Sequence, residues 1–594
     1  MVAKWSMNTG HDFIWSNMKA NNPPATWLLS VLLAVCSSVL PPSGATAPWQ
    51  SITQPIGTLL VDPPETALQV NQYLMSLDPN ITPATYPFDL ATDVTKIRTT
   101  QPLYFVRVYN EATGSRPVGS WIMRASQARG LNAAQIRDKQ ALPALPSHFT
   151  LVKVPAGMTL YTGIAGPIEG WGNGGANQSK LMGPPYVPIE NFTNRQLIGD
   201  CFLCYRTLAP SGNAHQVGAA LDRATPVAYS SLDTLYDQLD TLYFAPDPGP
   251  FQHAMNALSG ESITASQQVV FQHTASFMES IRQHAAGWLL SASSPFSAST
   301  IDAAAKEKKG MESNSDRLWT SLSGQSSRVN GTNSYAGVAS SGATLAFGMN
   351  RQIHPDLLFG FALGASNASY SVSERHGSGT VNGMNAAVYA VARSNGSYLS
   401  GTLAYGWSNT GTSRDIAVAT LINQQQSSFS SQVLSMRLET GHTFRTKQAN
   451  LTPFLAMEPA WLWQGGFSEN ASGVGAVNMG LDVQSRTTYA LPLSIGIQLD
   501  SSHSLPDGWT LNPLIRVSWI HEFNPYRQIN ASLQLLPQQS FTVTGAAAPT
   551  NMGRVMMGVT GSHRSGLTGY LSVDASLSDS GQSFGAWAGM GWRF

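Results

Sequence analysis

The clearest chemical pattern in this chain is a glycine-rich stretch, Gly163–Gln178. Gly170, Gly172 and Gly175 have the G-x-G-x-x-G spacing of dinucleotide-binding folds, in which a helix follows and its N-terminus accepts the pyrophosphate. Here Gly183-Pro184-Pro185 follows almost at once and leaves no room for such a helix. The spacing alone therefore does not predict a dinucleotide fold.

Two cysteines, Cys201 and Cys204, form a C-x-x-C pair. A redox motif would need the first cysteine at the start of a helix, whereas Arg195–Thr207 is predicted to be extended. A tight structural disulfide between the two cysteines is the favoured interpretation. His148 and His215 stand without a cysteine or carboxylate at metal-ligand spacing, so no metal site is predicted.

Length and composition limit the class of protein whose helices and strands position these residues. The chain has 594 residues, which predicts two or three structural units. Charged residues make up 11% of it, against roughly 25% in a typical soluble domain. The formal net charge is zero and no basic patch stands out, which argues against a nucleic-acid partner.

An apolar run near the N-terminus, Trp27–Leu40, is too short to span a bilayer. It precedes a stretch rich in small residues that ends at Ala47, and this order predicts a secretory signal peptide over residues 1–47 that is read by an export translocon. A lipoprotein modified at Cys36 is an alternative, but Val35 is bulky where a small residue is usual.

The last residues of the chain alternate with a period of two. Phe594, Trp592, Met590, Ala588 and Ala586 are apolar or small, and largely small or polar residues separate them. This pattern predicts a strand with one face in lipid and the other in a wet lumen.

Similar alternation recurs from Arg317 onward and predicts a transmembrane antiparallel β-barrel. About twelve segments carry it, an even number, as single-chain bacterial barrels require. They are Leu318–Gly324, Thr344–Asn350, Leu357–Ala365, Asn385–Ala392, Tyr398–Trp407, Val433–Phe444, Leu451–Trp463, Tyr489–Leu499, Leu511–Phe523, Gly553–Ser562, Gly569–Ala575 and Gly585–Phe594. We therefore expect a monomeric barrel in outer-membrane lipid.

The connections and the aromatic residues bear on the same prediction. Short connections at 393–396 and 563–566 are predicted to be periplasmic, and Ser408–Gln424, Gly465–Val483 and Asn524–Thr550 extracellular. A soluble β-sandwich or β-helix is the alternative. It accounts poorly for tryptophans that suit interfacial girdles, namely Trp461, Trp463, Trp519, Trp587 and Trp592.

Several motifs in this segment resemble, in order, the autotransporter β-domain of type V secretion. They are Leu318-Trp319, Gly348-Met349-Asn350, Leu438-Glu439-Thr440-Gly441, Thr452-Pro453-Phe454, Trp519-Ile520-His521-Glu522-Phe523, Phe541-Thr542-Val543-Thr544-Gly545 and Gly591-Trp592-Arg593-Phe594. The resemblance covers 317–594, with Asn350 where an aspartate is usual. It implies that barrel assembly machinery engages the last strand, with Trp592 and Phe594 as its signal.

In that family a linker helix threads the pore and joins the exported part, the passenger, to the barrel. The matching linker here is 251–316, and Phe251–Leu290 has a helical pattern. Neutral polar residues suited to a wet lumen recur along it: Gln267, Gln268, Gln272, His273, Ser276, Ser280, Gln283 and His284. A soluble helical hairpin is the alternative.

The remaining part, 48–250, shows no internal repeat and is predicted to be a small α+β passenger domain. Strand-like runs at Leu103–Tyr109, Phe149–Val154 and Met158–Ile164 mix with helical patterns at Glu65–Leu77 and Ser126–Lys139.

The passenger also resembles the NAD-glycohydrolase domain of bacterial necrotizing toxins. The matching pieces are Gly119-Ser120-Trp121, Ala141-Leu142-Pro143, Leu151-Val152-Lys153-Val154, Gly163-Ile164-Ala165 and Gly174-Gly175-Ala176-Asn177-Gln178. The resemblance implies NAD as substrate and Gln178 as a catalytic residue, with Gly119, Ser120, Trp121, Gly174 and Gly175 binding the dinucleotide. Arg107 is a second candidate, because a guanidinium suits a phosphate.

Two positions depart from that toxin pattern. Ala176 replaces a glycine, and Ser179 stands where an aromatic residue is usual. A structural glycine turn in a degenerate or binding module is therefore the alternative.

The leading functional hypothesis is an outer-membrane autotransporter that exports or displays its own passenger and requires no cofactor. The alternatives concern the passenger alone. One is an NAD-cleaving or ADP-ribosyl-transferring toxin, and the other is an adhesin or binding module.

Overall fold

The computed structural model describes residues 57–61, 64–227, 230–291, 316–446, 448–472 and 477–593. The predicted signal peptide, Cys36 and Phe594 lie outside this part of the chain. Among the residues that are described, no helix is both long and apolar enough to span a bilayer.

The N-terminal part forms a mixed α+β unit around one antiparallel sheet, as predicted. Its strands run in the order β1-β3-β7-β8-β5-β4-β6-β9, with β2 paired to β3. They are β1 Gly57–Leu59, β2 Glu65–Thr66, β3 Asp93–Thr99, β4 Leu103–Tyr109, β5 Trp121–Arg124, β6 His148–Val154, β7 Thr159–Ile164, β8 Asn177–Met182 and β9 Phe192–Leu197.

Three helices accompany the sheet: α1 Ala67–Leu77, α2 Ala125–Ala128 and α3 Ala133–Lys139. The prediction of one helix over Ser126–Lys139 is wrong. Gly130 separates α2 from α3 with a φ of +75°, and a Cβ there would lie 2.1 Å from the carbonyl oxygen of Asp222. A side chain at this close approach would clash, so the helix is broken where only glycine is tolerated.

A helical layer follows the sheet: α4 Tyr205–Leu208, α5 Gly212–Leu221, α6 Ser231–Tyr243 and α7 Gly249–Ser259. The prediction that Arg195–Thr207 is extended holds only to Leu197, where β9 ends. Cys201 and Cys204 are joined by a disulfide with their Cα atoms 5.7 Å apart, and Cys204 is the N-cap of α4.

The C-terminal part forms a closed antiparallel barrel. Its strands are β10 Asp316–Val329, β11 Val338–His354, β12 Leu357–Val372, β13 Gly377–Ser394, β14 Ser397–Val418, β15 Leu421–His442, β16 Phe444–Arg445, β17 Asn450–Met457, β18 Ala460–Gln464, β20 Asn470–Ser472, β22 Arg486–Ala490, β23 Pro492–Asp500, β24 His503–Ser504, β25 Trp509–Glu522, β28 Asn551–His563, β29 Leu567–Ser578 and β30 Gly581–Arg593.

The barrel has twelve staves, a word we use for the positions around the wall that are each filled by one long strand or by several short strands end to end. This number confirms the predicted strand number. β17, β18 and β20 pair in turn with β15 and form one stave, and β22 continues into β23 as the next. β16 and β24 only extend hairpins. The sheet closes where β10 pairs with β30, from Arg317 opposite Arg593 to Val329 opposite Gly581.

Side chains alternate between the outside and the lumen as the period of two predicts. On β30 Met590 and Trp592 are 60% and 58% exposed and face outward, as do Trp461, Trp463 and Trp519 elsewhere. Trp587 was predicted to join this outer girdle, and that is wrong. It is 4% exposed and faces inward, because it lies an odd number of residues from Trp592.

We call the end of the barrel that holds Asp316 and Arg593 proximal, and the opposite end distal. The connections at 393–396 and 563–566 lie at the proximal end. The predicted long loop Ser408–Gln424 is wrong, because β14 and β15 continue to a two-residue turn between Val418 and Leu421 at the distal end.

The other two long connections do lie at the distal end, but they are not irregular. They contain β19 Phe467–Ser468, β21 Leu481–Val483, β26 Gln528–Leu533 and β27 Phe541–Thr544. These strands form a second sheet in that order, which we call the distal sheet.

A 27-residue helix, α8 Ala265–Ser291, lies inside the barrel, as predicted for the linker. It follows α7 after Gly260, whose φ is +72°, and a 3-10 turn over Glu261–Thr264. The helix enters at the distal end and finishes at the proximal end, where Arg393 donates to the carbonyl oxygen of Trp288.

Candidate functional site

Helix α8 occupies the lumen, and its polar side chains bond to the barrel wall. Gln272 donates to the Ser327 hydroxyl at 3.0 Å and accepts from Ser340 at 3.1 Å. Ser276 bonds to Ser323 at 3.0 Å. These contacts follow from placing the predicted polar face of the helix against lumen-facing hydroxyls, because a buried polar group is stable only when it has a partner.

A charged network holds the middle of the helix. The carboxylate of Glu279 accepts from Arg282 on the same helix and lies 3.8 Å from the Arg437 guanidinium of the wall. Arg437 and Arg516 both donate to Glu439. All of these side chains are buried, so each charge depends on its partners for stability.

The lumenal contacts predicted from the sequence involve only neutral residues of the helix, whereas the structure adds Glu279 and Arg282. Their spacing of three residues was the available signal, because it places opposite charges side by side on one helical face.

An aromatic cluster holds the proximal end of α8. The rings of His284 and Trp319 stack with centroids 4.9 Å apart. Trp319 Nε1 donates to the Tyr389 hydroxyl at 2.9 Å, and Asn350 Nδ2 lies 2.8 Å from His284 Nε2. A Cβ at Gly348 would lie 2.3 Å from the Trp319 ring, so the glycine of the Gly348-Met349-Asn350 motif makes room for that ring.

A cavity of about 600 Å³ opens beside the helix at the proximal end of the lumen. Charged and polar side chains line it, among them Arg282, Arg393, Tyr398, Glu439 and Arg516. Open space with polar walls therefore lies beside the helix at the proximal end, and a second cavity of about 200 Å³ lies next to Phe271 and Ala275 further along the helix.

The glycine-rich loop of the passenger is hydrogen-bonded into its own domain. The amide of Gly174 donates to the Asp138 carbonyl at 3.0 Å, Gly175 to Ala165 at 2.8 Å, and Ala176 to Lys139 at 3.1 Å. A phosphate-binding loop needs such amides for its ligand. These three are committed to protein carbonyls, which favours the structural turn over a phosphate cradle.

Arg107, Gly119, Ser120 and Trp121 are brought together. Arg107 Nε donates to the Arg116 carbonyl at 2.9 Å and Nη1 to the Trp121 carbonyl at 3.0 Å. A Cβ at Gly119 would lie 2.4 Å from the guanidinium carbon, so the glycine gives that side chain its space. The Ser120 carbonyl accepts from the Leu181 amide at 2.7 Å. Burial lowers the pKa of Arg107.

Gln178 lies on β8, opposite Gly163 of β7. Its Nε2 donates to the Pro87 carbonyl at 2.6 Å. The adjoining Phe88 ring packs 5.7 Å from the Trp121 ring, and the Lys180 ammonium lies 4.8 Å above that indole. Gln178 and Trp121 thus flank the same segment, whereas Gly174 and Gly175 contact Ala165 and the end of α3.

Two buried ion-pair groups of the passenger were not predicted. Arg124 pairs with Asp233 and Asp237, and Arg129 pairs with Asp240. The three aspartates lie on α6 at positions i, i+4 and i+7, which put them on one helical face. A row of acidic residues on one face of a helix is usually exposed to solvent. The sequence therefore does not indicate that Arg124 and Arg129 pair with these aspartates, and the fold shows that they do.

The comparisons with known proteins concern the barrel. No curated protein sequence matches the chain. Among solved structures, the translocator domain of the autotransporter NalP from Neisseria meningitidis is similar, with 16% identity over 50% of this chain and 94% of that one and a TM-score of 0.36. The β domain of the Bordetella autotransporter BrkA has 17% identity over 47% and 98%, with a TM-score of 0.34.

A third similar structure is the transport unit of the autotransporter AIDA-I from Escherichia coli, with 15% identity over 48% of this chain and 92% of that one and a TM-score of 0.35. The family model of the autotransporter β-domain matches residues 318–574. That match runs from β10 into β29 of the closed barrel, whose outer face is apolar. The C-terminal part of this chain therefore matches the autotransporter β-domain family over residues 318–574, and it forms a closed β-barrel.

Proposed function

We propose that the protein carries its own residues 48–250 across the outer membrane and displays them at the cell surface. One observation supports this most directly: α8 crosses the lumen and connects the passenger at the distal end to the first barrel strand at the proximal end. In the exported state, a chain that begins outside must return through the pore in this way.

The barrel provides what such a carrier needs. Its outer face carries an apolar band for lipid, with Phe359, Phe361, Leu403, Ile495 and Val517 among the exposed residues. Pairing of β10 with β30 within one chain supports a monomeric barrel. Delivery by the export translocon and insertion by barrel assembly machinery complete the proposal.

The test is the position of two epitope tags on intact cells. One tag follows Gly157 in the turn between β6 and β7, where a Cβ would meet open space. The matched tag follows Asn395 in the proximal turn between β13 and β14. We expect antibody to label the first tag on intact cells and the second only after the outer membrane is permeabilised. Labelling of the proximal tag alone on intact cells would contradict the proposal.

A further inference from the structure

The passenger, the first helix of the linker and the barrel share a hydrophobic core at the distal end. Buried residues of α5, α6 and α7, such as Val217, Leu239 and Leu258, belong to it. The inward side of the distal sheet completes it with Ile529, Ala531, Leu533, Phe541 and Val543, each at most 5% exposed. The helical layer and the distal sheet therefore pack against each other through one continuous buried core, as two layers of a single domain do.

Directional contacts fix this packing. Asn213 of α5 donates from Nδ2 to the Thr544 carbonyl at 2.8 Å and accepts from the Thr544 amide at 2.9 Å. Its amide group therefore pairs with the β27 backbone as a neighbouring strand would. Arg223 donates to the Gln539 side chain at 2.7 Å, and the Thr420 hydroxyl donates to Gln238 of α6 at 2.7 Å.

The helical layer is tied equally firmly to the passenger sheet. The guanidinium of Arg129, fully buried, pairs with Asp240 and stacks on the Tyr205 ring at 3.6 Å. Arg124 of β5 reaches Asp233 of the same helix as Asp240. The sheet, the helices and the distal sheet therefore form a continuous set of packed layers.

We propose that the distal sheet is a docking platform for the passenger of the same chain, and that it retains the passenger after the polypeptide is cut. This inference deepens the proposed function, on which it rests for the location of the passenger, and it assigns the passenger to display and not to release. The platform binds the apolar faces of α5 and α6 and the polar side chain of Asn213.

The experiment cuts the chain between α6 and α7. A protease site inserted after Asp247 lies in an exposed connection. After cleavage of the detergent-solubilised full-length protein, the fragment that ends at Asp247 should co-purify with an affinity-tagged barrel. The proposal would be overturned if the protein without interface substitutions were cleaved and its fragment were recovered in the unbound fraction.

Two matched substitutions on β27 give specificity. Val543→Asp places a charge in the shared core, and after cleavage it should release at least tenfold more fragment than the protein without interface substitutions. Thr542→Asp, one residue away on the exposed face, should release no more fragment than that reference protein. Asn213→Ala tests the same interface without placing a charge in the core, and should also increase release. Equal retention in all three variants would contradict the platform.

The export step is measured separately with the tag after Gly157 on intact cells. If that tag is not accessible while the solubilised fragment remains bound, the proposed function fails and the platform stands. If the tag is accessible and the cut fragment leaves the cells, the platform fails and the proposed function stands.

Discussion

Gly174 and Gly170 show how a single residue can be tested for a structural role. Both have positive φ, +68° and +77°, but a Cβ at Gly174 would lie 2.3 Å from the Ala165 carbonyl oxygen, whereas at Gly170 it meets nothing within 4 Å. We expect Gly170→Ala to cost roughly 1–2 kcal/mol through backbone strain alone. Gly174→Ala should cost about 1–3 kcal/mol more because of the clash.

Urea unfolding of the passenger in the solubilised full-length protein, followed by protease sensitivity, measures both substitutions. Equal losses of stability in the two variants would contradict the structural role of the Gly174 turn.

The NAD-cleaving hypothesis for the passenger stays a prediction. Gln178 Nε2 already donates to the Pro87 carbonyl, and Arg107 donates from Nε and Nη1 to two carbonyls, so a ligand would use the other polar atoms of these side chains or displace these bonds. The measurement is nicotinamide release by the solubilised protein, with Gln178→Ala as the control. Release that the substitution abolishes would support catalysis, and no release above the level of this variant would leave the loop as a structural turn.

Among the elements, α8 gives the most direct test of geometry. A short bifunctional thiol cross-linker should join Gln272→Cys to Ser340→Cys, because the native glutamine side chain spans the gap between the helix and Ser340, to which it is hydrogen-bonded at 3.1 Å. The linker is needed because the reach of the glutamine stem exceeds that of a disulfide. Ser341→Cys is the matched control, since Ser341 is exposed on the opposite face of β11. A shift in electrophoretic mobility reports the cross-link. Cross-linking at Ser341 but not at Ser340 would place the helix outside the lumen.

The terminal strand is the element that should govern assembly. Trp592 faces outward on β30 and lies opposite Leu318 of β10. Trp592→Asp therefore puts a charge on the lipid-facing side of β30, next to the strand with which β30 closes the barrel. We expect at least a tenfold loss of heat-modifiable barrel from the outer membrane, and a greater loss when Phe594→Asp is added. Arg593→Asn, at the adjacent position, should have little effect. Normal accumulation of the Trp592→Asp barrel would contradict the proposed assembly signal.

At the scale of the whole molecule, alternation and helical pattern were sufficient to predict twelve staves and a lumenal helix, because lipid outside and water inside impose a strict period on each strand. They were not sufficient for the distal sheet. β19, β21, β26 and β27 are two to six residues long, too short to show a period, and they acquire their apolar partners from helices more than 200 residues away. The buried pairing of Arg129 with Asp240 was equally invisible, because a charged stripe on a helix is normally solvated.

The blocked state of the pore, in which α8 occupies the lumen, depends on the charges that hold α8 in the barrel. Glu279 lies among Arg282, Arg437 and Arg554, at 2.5, 3.8 and 4.0 Å from their nearest nitrogens. Glu279→Gln removes the only helix carboxylate among these contacts and leaves buried guanidinium charges under-compensated, which costs about 3 kcal/mol. We expect the compact electrophoretic form to be lost at a lower temperature and channel openings in planar bilayers to become more frequent, because states with the helix displaced gain population. Glu374→Gln, in the exposed distal turn between β12 and β13, is the control and should change neither measurement. Unchanged melting and conductance in the Glu279→Gln protein would mean that hydrogen bonds and the His284–Trp319 stack hold the helix without the charged network.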